Sequence, residues 1–191
     1  MKLFLVRHGQ SVANLDTYYT GQSDVPLTNL GRKQAAQVGV KLANITFDKV
    51  YTSDLSRAAE TCEIALPNKT AEKTVLLREY DVGSIQGCPY DKLRLVQPDD
   101  PQRAPDYTPY GGEDAMMVRA RARHFLTSLE DSDYAYVAAF THQGFIYAML
   151  REIFGTRFCS GTVETDNCSV HVFEYDGNIW KVLAINYMTA F

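Results

Sequence analysis

Apolar positions along this chain alternate between short continuous runs and stripes at helical spacing. Leu3 to Val6 is an unbroken apolar run closed by Arg7 and predicts a buried strand over residues 2–6. Residues 9–27 are polar, carry Gly21 and Pro26, and predict a long loop or a short helix plus loop. Thr28 predicts an N-cap, and Leu30, Ala35, Val38 and Leu42 predict a helix over about 29–43. Val50-Tyr51-Thr52 predicts a second strand, with Ser53 as the next N-cap candidate. Leu55, Ala59, Cys62 and Leu66 then mark one face of a second helix. Thr74 to Leu77 predicts a third strand running into Arg78-Glu79-Tyr80. Gly111-Gly112-Glu113 opens a helix whose face is Val118, Ala122, Phe125 and Leu129. Tyr134 to Phe140 predicts a strand ending at Thr141-His142-Gln143-Gly144, and Ile146, Met149, Leu150 and Ile153 continue as a helix closed by Gly155. Residues 169–174 and 180–185 flank Asp176-Gly177 and predict a hairpin.

Residues 81–111 break this rhythm. They hold Pro89, Pro98, Pro101 and Pro105, with a brief helical stretch near 90–96. Tyr90, Tyr107 and Tyr110 give them apolar body, so they read as a covering insertion rather than a linker. The whole of 1–191 therefore reads as one domain carrying that insertion.

Strands alternating with helices predict an α/β fold, a three-layer α/β/α sandwich on a mostly parallel sheet. Right-handed crossovers bring the parallel strand exits to one edge, and ligands bind beyond that carboxyl edge. The residues at the exits are Arg7-His8, Ser53 with Arg57 just beyond, Arg78-Glu79 and His142-Gln143. Arginine is the fork-shaped donor suited to phosphate, and histidine serves as nucleophile, base or cation near neutral pH. Gly9 would let backbone approach a ligand closely. Arg57 falls in a first helical turn, off the apolar face, and reads equally as a surface arginine or an anion ligand. Two of the four histidines stand at such exits; His124 and His171 lie within a helix and a strand and read as structural or surface residues.

Composition narrows the class. The 191 residues are 46% hydrophobic and 22% charged, as in a soluble globular protein large enough for a full core. The net charge of −4 argues against general nucleic-acid binding while leaving room for a local positive pocket. Cys62, Cys88, Cys159 and Cys168 show no paired spacing and read as reduced thiols. No run reaches membrane-spanning length and no zinc-ligand cluster is present. The expectation is a cytoplasmic protein with no metal, no cofactor and neither nucleic acid nor membrane as partner.

Cations and imidazoles around one point suit a phosphoryl group, whose transfer is catalysed by positioning and charge stabilisation. At this point the chain resembles the histidine phosphatase superfamily, the family of the cofactor-dependent phosphoglycerate mutases. The likeness is carried by LVRHGQS at 5–11, TGQSDVPLTNLGRKQA at 20–35, VYTSDLSRAAET at 50–61, LLREYDVGSIQG at 76–87, GGED at 111–114 and THQG at 141–144. It implies the phosphoglycerate mutase-like fold and a phosphohistidine mechanism. By that resemblance His8 is the phosphate-accepting nucleophile, Arg7, Arg57 and His142 clamp the phosphate, and Glu79 donates and accepts protons. Asn14 falls at a polar phosphate contact, Gln143 where a backbone N–H meets phosphate, and Gly21 in a shared loop segment with Thr20 and Asp24. Gln10 replaces the glutamate usual in the mutases, and Asp81 is a rival acid to Glu79. The mechanism needs a neutral His8, and His142 serves best as a cation beside phosphate.

A mutase must shield its phosphohistidine and grip a second anion. Residues 81–111 hold only Lys92, Arg94 and Arg103, without an adjacent Arg-Arg pair, and the chain stops soon after its last strand. The reading is therefore a phosphomonoester hydrolase of the short phosphatase-type branch, acting on a small-molecule phosphate ester. A phosphoglycerate mutase stands second, and a non-catalytic phospho-ligand binding module third. The tyrosines at 18, 19, 90, 107 and 110 serve either a substrate entrance or loop packing. The physiological substrate is not legible, and a homodimer is left open.

Overall fold

Alternation along the first strand builds two cores. Leu3 and Leu5 point to one face of the sheet, Phe4 and Val6 to the other, and all four are buried. The computed structural model describes residues 1–94, 105–155 and 163–187. Pro98, Pro101, Arg103, Cys159, Phe191 and the end of the 90–96 stretch lie outside the described residues.

In chain order the elements are β1 (Lys2–Arg7), α1 (Val12–Asp16), α2 (Asn29–Leu42), β2 (Lys49–Ser53), α3 (Ser56–Ala65) and β3 (Glu72–Thr74). There follow α4 (Tyr90–Arg94), α5 (Ala115–Glu130), β4 (Tyr136–Thr141), α6 (Gln143–Phe154), β5 (Val170–Tyr175) and β6 (Trp180–Ala184). The sheet order is β3-β2-β4-β1-β5-β6. The first four strands are parallel, and β5 and β6 pair antiparallel, as the hairpin signal predicts. Phe125, Leu129, Phe145 and Met149 of α5 and α6 cover the Leu3/Leu5 face. Ala35, Val38, Leu42, Cys62 and Ala65 of α2 and α3 cover the Phe4/Val6 face. The three layers place the carboxyl ends of β1, β2 and β4 at one edge.

Five local expectations change. The third strand is Glu72–Thr74, and Val75–Leu77 is a 3-10 turn that swings Arg78 and Glu79 toward the edge. Leu55, not Ser53, caps α3; Asp24 Oδ1 instead accepts the Ser56 N–H at 2.7 Å, from another loop. Asp114 caps α5, so that helix opens later than Gly111-Gly112-Glu113 suggested. Leu30 is exposed, and Gly31 heads the buried face of α2. A Cβ on Gly31 would stand 2.1 Å from the Gln10 carbonyl oxygen, and one on Gly9 2.5 Å from that of Gly31. Gly9 thus serves close packing against α2, not approach to a ligand.

Candidate active site

β1 ends in Arg7, and His8 follows, 4% exposed. His8 Nδ1 donates to its neighbour's Gly9 carbonyl at 2.7 Å. A carbonyl only accepts, so the proton is fixed on Nδ1 and Nε2 keeps the lone pair. β4 delivers His142, whose ring centroid lies 5.2 Å from that of His8 at an interplanar angle of 57°. Both His142 ring nitrogens are buried without a hydrogen-bond partner among the described residues. Burial, reinforced by Arg57 and Arg7, holds His8 well below the usual imidazole range. Burial and then Arg57, His8, Arg7 and Arg121 do the same to His142. The expected cationic His142 is therefore not the form of the free protein; its charge needs an anion in the cavity to offset the arginines.

Arg57 sits in the first turn of α3 and is 2% exposed, against the expectation that it lies off the buried face. Its Nη1 and Nη2 donate to the carbonyls of Ser23 and Gly21, both at 2.9 Å. Those bonds aim the guanidinium inward, and burial lowers its pKa to about 10, so it stays charged at neutral pH. Arg7 donates through Nη1 to the Thr165 carbonyl, while its Nε is buried without a partner among the described residues. Two desolvated guanidiniums with donors to spare favour an anion between them.

Glu79 lies where the 3-10 turn ends. Its Oε2 accepts the Gly144 N–H at 3.1 Å, and Oε1 accepts the Tyr80 N–H at 2.9 Å. The positive end of α6 thus holds the carboxylate at the rim of the same cavity. Asp81 does not reach it: its Oδ1 accepts the Gly83 N–H at 2.8 Å, inside its own turn. Arg78 pairs with Asp54 through two bonds of 2.8 and 2.6 Å and does not line the cavity. Gln143 Nε2 turns to Thr165 Oγ1 at 3.0 Å, which leaves its backbone N–H among the unused first-turn donors of α6. Asn14 Oδ1 accepts from Ser11 N, Ser11 Oγ and Asn167 Nδ2, so its N–H groups form the donor end.

These groups line one cavity of about 380 Å³, with Arg7, His8, Asn14, Gly21, Arg57, Glu79 and Gln143 on its wall. His142 packs directly behind His8. Tyr90, Tyr19, Tyr107 and Tyr80 form a chain of edge-to-face rings, with centroids 4.6, 6.2 and 5.8 Å apart. Tyr18 and Tyr110 do not line the cavity, whereas Tyr147 does. Among the described residues no cluster of three His, Cys, Asp or Glu could hold a metal ion, and no helix is long and apolar enough to cross a membrane.

Several supporting residues escape the sequence pattern. Asn167 donates to the His8 carbonyl at 3.1 Å. Arg121 of α5 donates to the carbonyls of Leu76, Arg78 and Glu79 and pairs with Glu113, so it braces the segment that carries Glu79. A charged residue beside the buried Ala122 was the one available signal for Arg121. His171 is buried in β5 against Ser169 Oγ at 2.9 Å, a structural position.

Two histidines, two arginines and one carboxylate gathered at the strand exits of an α/β sheet define a class. A model of the histidine phosphatase superfamily (branch 1) matches residues 3–188. The chain belongs to that superfamily. It is 40% identical over 134 residues to a fructose-2,6-bisphosphatase TIGAR of Xenopus tropicalis, covering 66% of this chain and 49% of that protein. It is 38% identical over 139 residues to a 2,3-bisphosphoglycerate-dependent phosphoglycerate mutase of Allorhizobium ampelinum, covering 66% of each. The chain thus spans about half the length of the TIGAR relative. Among solved structures, a mycobacterial glucosyl-3-phosphoglycerate phosphatase in complex with VO3 superposes with a TM-score of 0.85 at 25% identity, covering 97% of this chain and 98% of that one.

Proposed function

We propose that this protein is a phosphomonoester hydrolase that works through a phosphohistidine on His8. The observation that carries the reading is the convergence of Arg7, Arg57, His8 and Glu79 on one cavity, with His142 packed against the His8 ring. Nε2 of His8 attacks phosphorus as the ester P–O bond breaks, and Glu79, entering this step as the carboxylic acid, gives its proton to the leaving oxygen and is left as the carboxylate. Water then attacks phosphorus, gives its proton to Glu79, and the P–N bond breaks to return neutral His8 and release phosphate. Arg7, Arg57 and the first turn of α6 hold the equatorial oxygens, and His142 takes up a proton as the anion binds. Asn14 and Gly21 serve the same grip, Asn14 directly and Gly21 through Arg57.

The scheme draws on no metal and no cofactor, and its partner is a small-molecule phosphate ester. Free thiols at Cys62, Cys88 and Cys168 accord with a cytoplasmic setting. A mutase is the second reading, favoured by the likeness to the Allorhizobium enzyme. Against it, the described part of the insertion contributes tyrosines to the cavity while Lys92 is exposed and off its wall.

Phosphate release measured over a broad panel of phosphomonoesters, with His8→Ala as the blank, tests the reading. Release by wild type and none by a folded His8→Ala supports it; equal release by both removes His8. Formation of 2-phosphoglycerate in the presence of 2,3-bisphosphoglycerate, without net phosphate release, would make the mutase reading the right one.

A further inference from the structure

A leaving oxygen protonated by Glu79 departs on the side of that residue, so the alcohol part of the ester lies against whatever stands beside Glu79. Those neighbours are tyrosines. Tyr80 follows Glu79 in the chain, donates its N–H to Oε1 at 2.9 Å, and lays its ring beside Gly144, whose N–H donates to Oε2. Tyr107 meets Tyr80 edge to face, and Tyr19 meets both Tyr107 and Tyr90 in the same way. All four line the cavity that Arg7 and Arg57 enter. Burial pushes the Tyr80, Tyr90 and Tyr107 phenols up, and the Glu79 carboxylate adds to it in each case, so all three are uncharged at neutral pH. Packing alone would need these rings to meet one another. It does not require four of them on the wall of one cavity, beside the proton donor.

The rings are held by their backbones. Tyr19 donates its N–H to the Cys88 carbonyl at 2.9 Å and accepts from the Gly87 N–H at 2.7 Å, and Tyr90 donates to the Thr17 carbonyl at 3.0 Å. Tyr107 donates to the Glu113 carbonyl at 3.0 Å, and its own carbonyl accepts from Tyr110 and Gly112, both at 2.9 Å. A tyrosine so anchored has little side-chain freedom left to lose when a ligand docks. Charge narrows what docks there. Arg7 and Arg57 match the phosphate dianion. Arg151, also on the described wall, is engaged by contacts of its own, and Glu79 is the one carboxylate among the described lining residues. A second anion against the tyrosines would lose its water and gain only π faces and neutral phenols. A ring would bury its apolar body and meet the tyrosines in favourable edge or offset contacts.

We propose that the tyrosine wall is the leaving-group subsite, with Tyr90 and Tyr107 as specificity residues, and that the preferred substrate is a phosphomonoester of an uncharged, ring-bearing alcohol. The proposal rests on the phosphomonoester reading above and adds the substrate class.

Esters of primary alcohols test it with the leaving-group chemistry held nearly constant: butyl, 2-cyclohexylethyl, 2-phenylethyl and 3-carboxypropyl phosphate. For wild type, kcat/KM for 2-phenylethyl phosphate should exceed that for butyl phosphate by about tenfold, from the added apolar burial. It should exceed that for the cyclohexyl ester by about fivefold, the part of an aromatic contact that lies beyond buried area. The carboxypropyl ester should fall below butyl phosphate. Tyr90 is 37% exposed, so Tyr90→Leu keeps bulk at a surface-accessible position and removes only the π face. In Tyr90→Leu and in Tyr107→Leu the phenyl-over-cyclohexyl preference should fall to within about twofold, and Tyr90→Phe should keep it. The readout is a ratio of two esters on one protein, so a partly unfolded variant does not distort it. A wild type that favours the carboxylate ester or shows no ring preference overturns the proposal. So do leucine variants that both keep the preference, or a Tyr90→Phe protein that loses it. If no ester is hydrolysed, the phosphatase reading fails and calorimetry still decides the subsite: His8→Ala must bind 2-phenylethyl phosphate about tenfold more tightly than butyl phosphate. Equal binding there overturns it.

Discussion

The His8 and His142 rings lie 5.2 Å apart between centroids, tilted at 57°, and both are kept neutral by burial and by the arginines around them. One keeps a lone pair by donating to Gly9, and the other has no acceptor or donor in the described protein. Such a pair is stable uncharged and ready to gain one proton when a dianion enters.

That arrangement makes stability pH-dependent. A histidine whose folded pKa is depressed binds fewer protons folded than unfolded, so its contribution is intact above the unfolded value of 6.5 and is lost as pH falls through the folded value. His171, pushed down to about 4 by burial, adds to the same loss. Unfolding free energy of the free protein should fall below about pH 6.5, by up to roughly 1.4 kcal/mol per pH unit for each histidine. Tungstate should raise the His142 pKa, read by NMR titration of the ring. An unshifted His142 in the complex would contradict its role as the cation formed on binding.

The proposed role of Glu79 as proton donor would matter most for poor leaving groups. Glu79→Gln should slow alkyl phosphates by about 10²–10⁴-fold and activated aryl phosphates by much less. Gly144→Ala should mimic it in part, because the added Cβ would stand 2.1 Å from Glu79 Oε1 and must displace the carboxylate. Steady-state rates on the two ester classes check both variants; equal slowing on each class argues against a general-acid role.

Asn167 couples the His8 backbone to the Asn14 amide through one side chain. Without it, the Asn14 carboxamide is freer to turn its oxygen toward the phosphate. Asn14→Ala and Asn167→Ala should each weaken inorganic phosphate inhibition, by about 10-fold for the charge-assisted bond at Asn14. The double variant should be little worse than Asn14→Ala alone, with about 1 kcal/mol of coupling. Additive losses would mean that Asn167 acts on general stability instead.

Gly31→Ala probes the seat of the nucleophile loop. The nearest atoms to its Cβ are backbone atoms of Gln10, two residues past His8, so no side chain can yield. A loss of about 3 kcal/mol is expected, the upper end for overpacking, with a concurrent fall in kcat. A denaturant midpoint unchanged from wild type would show that the backbone contact is looser than this.

The sequence by itself determined the layered architecture and the residues brought to the carboxyl edge. Periodicity, strand exits and the Thr28 cap are local signals, and the motifs around Arg7, His8, Arg57, Glu79 and His142 lie within a few residues of those exits. Only the tertiary structure decided how those residues are held. Asn167 and Thr165 reach His8 and Arg7 across separations of 159 and 158 residues, and no local pattern encodes such contacts. The same holds for the neutral state of His142, since desolvation and the field of four distant groups depend on packing rather than on its neighbours in the chain.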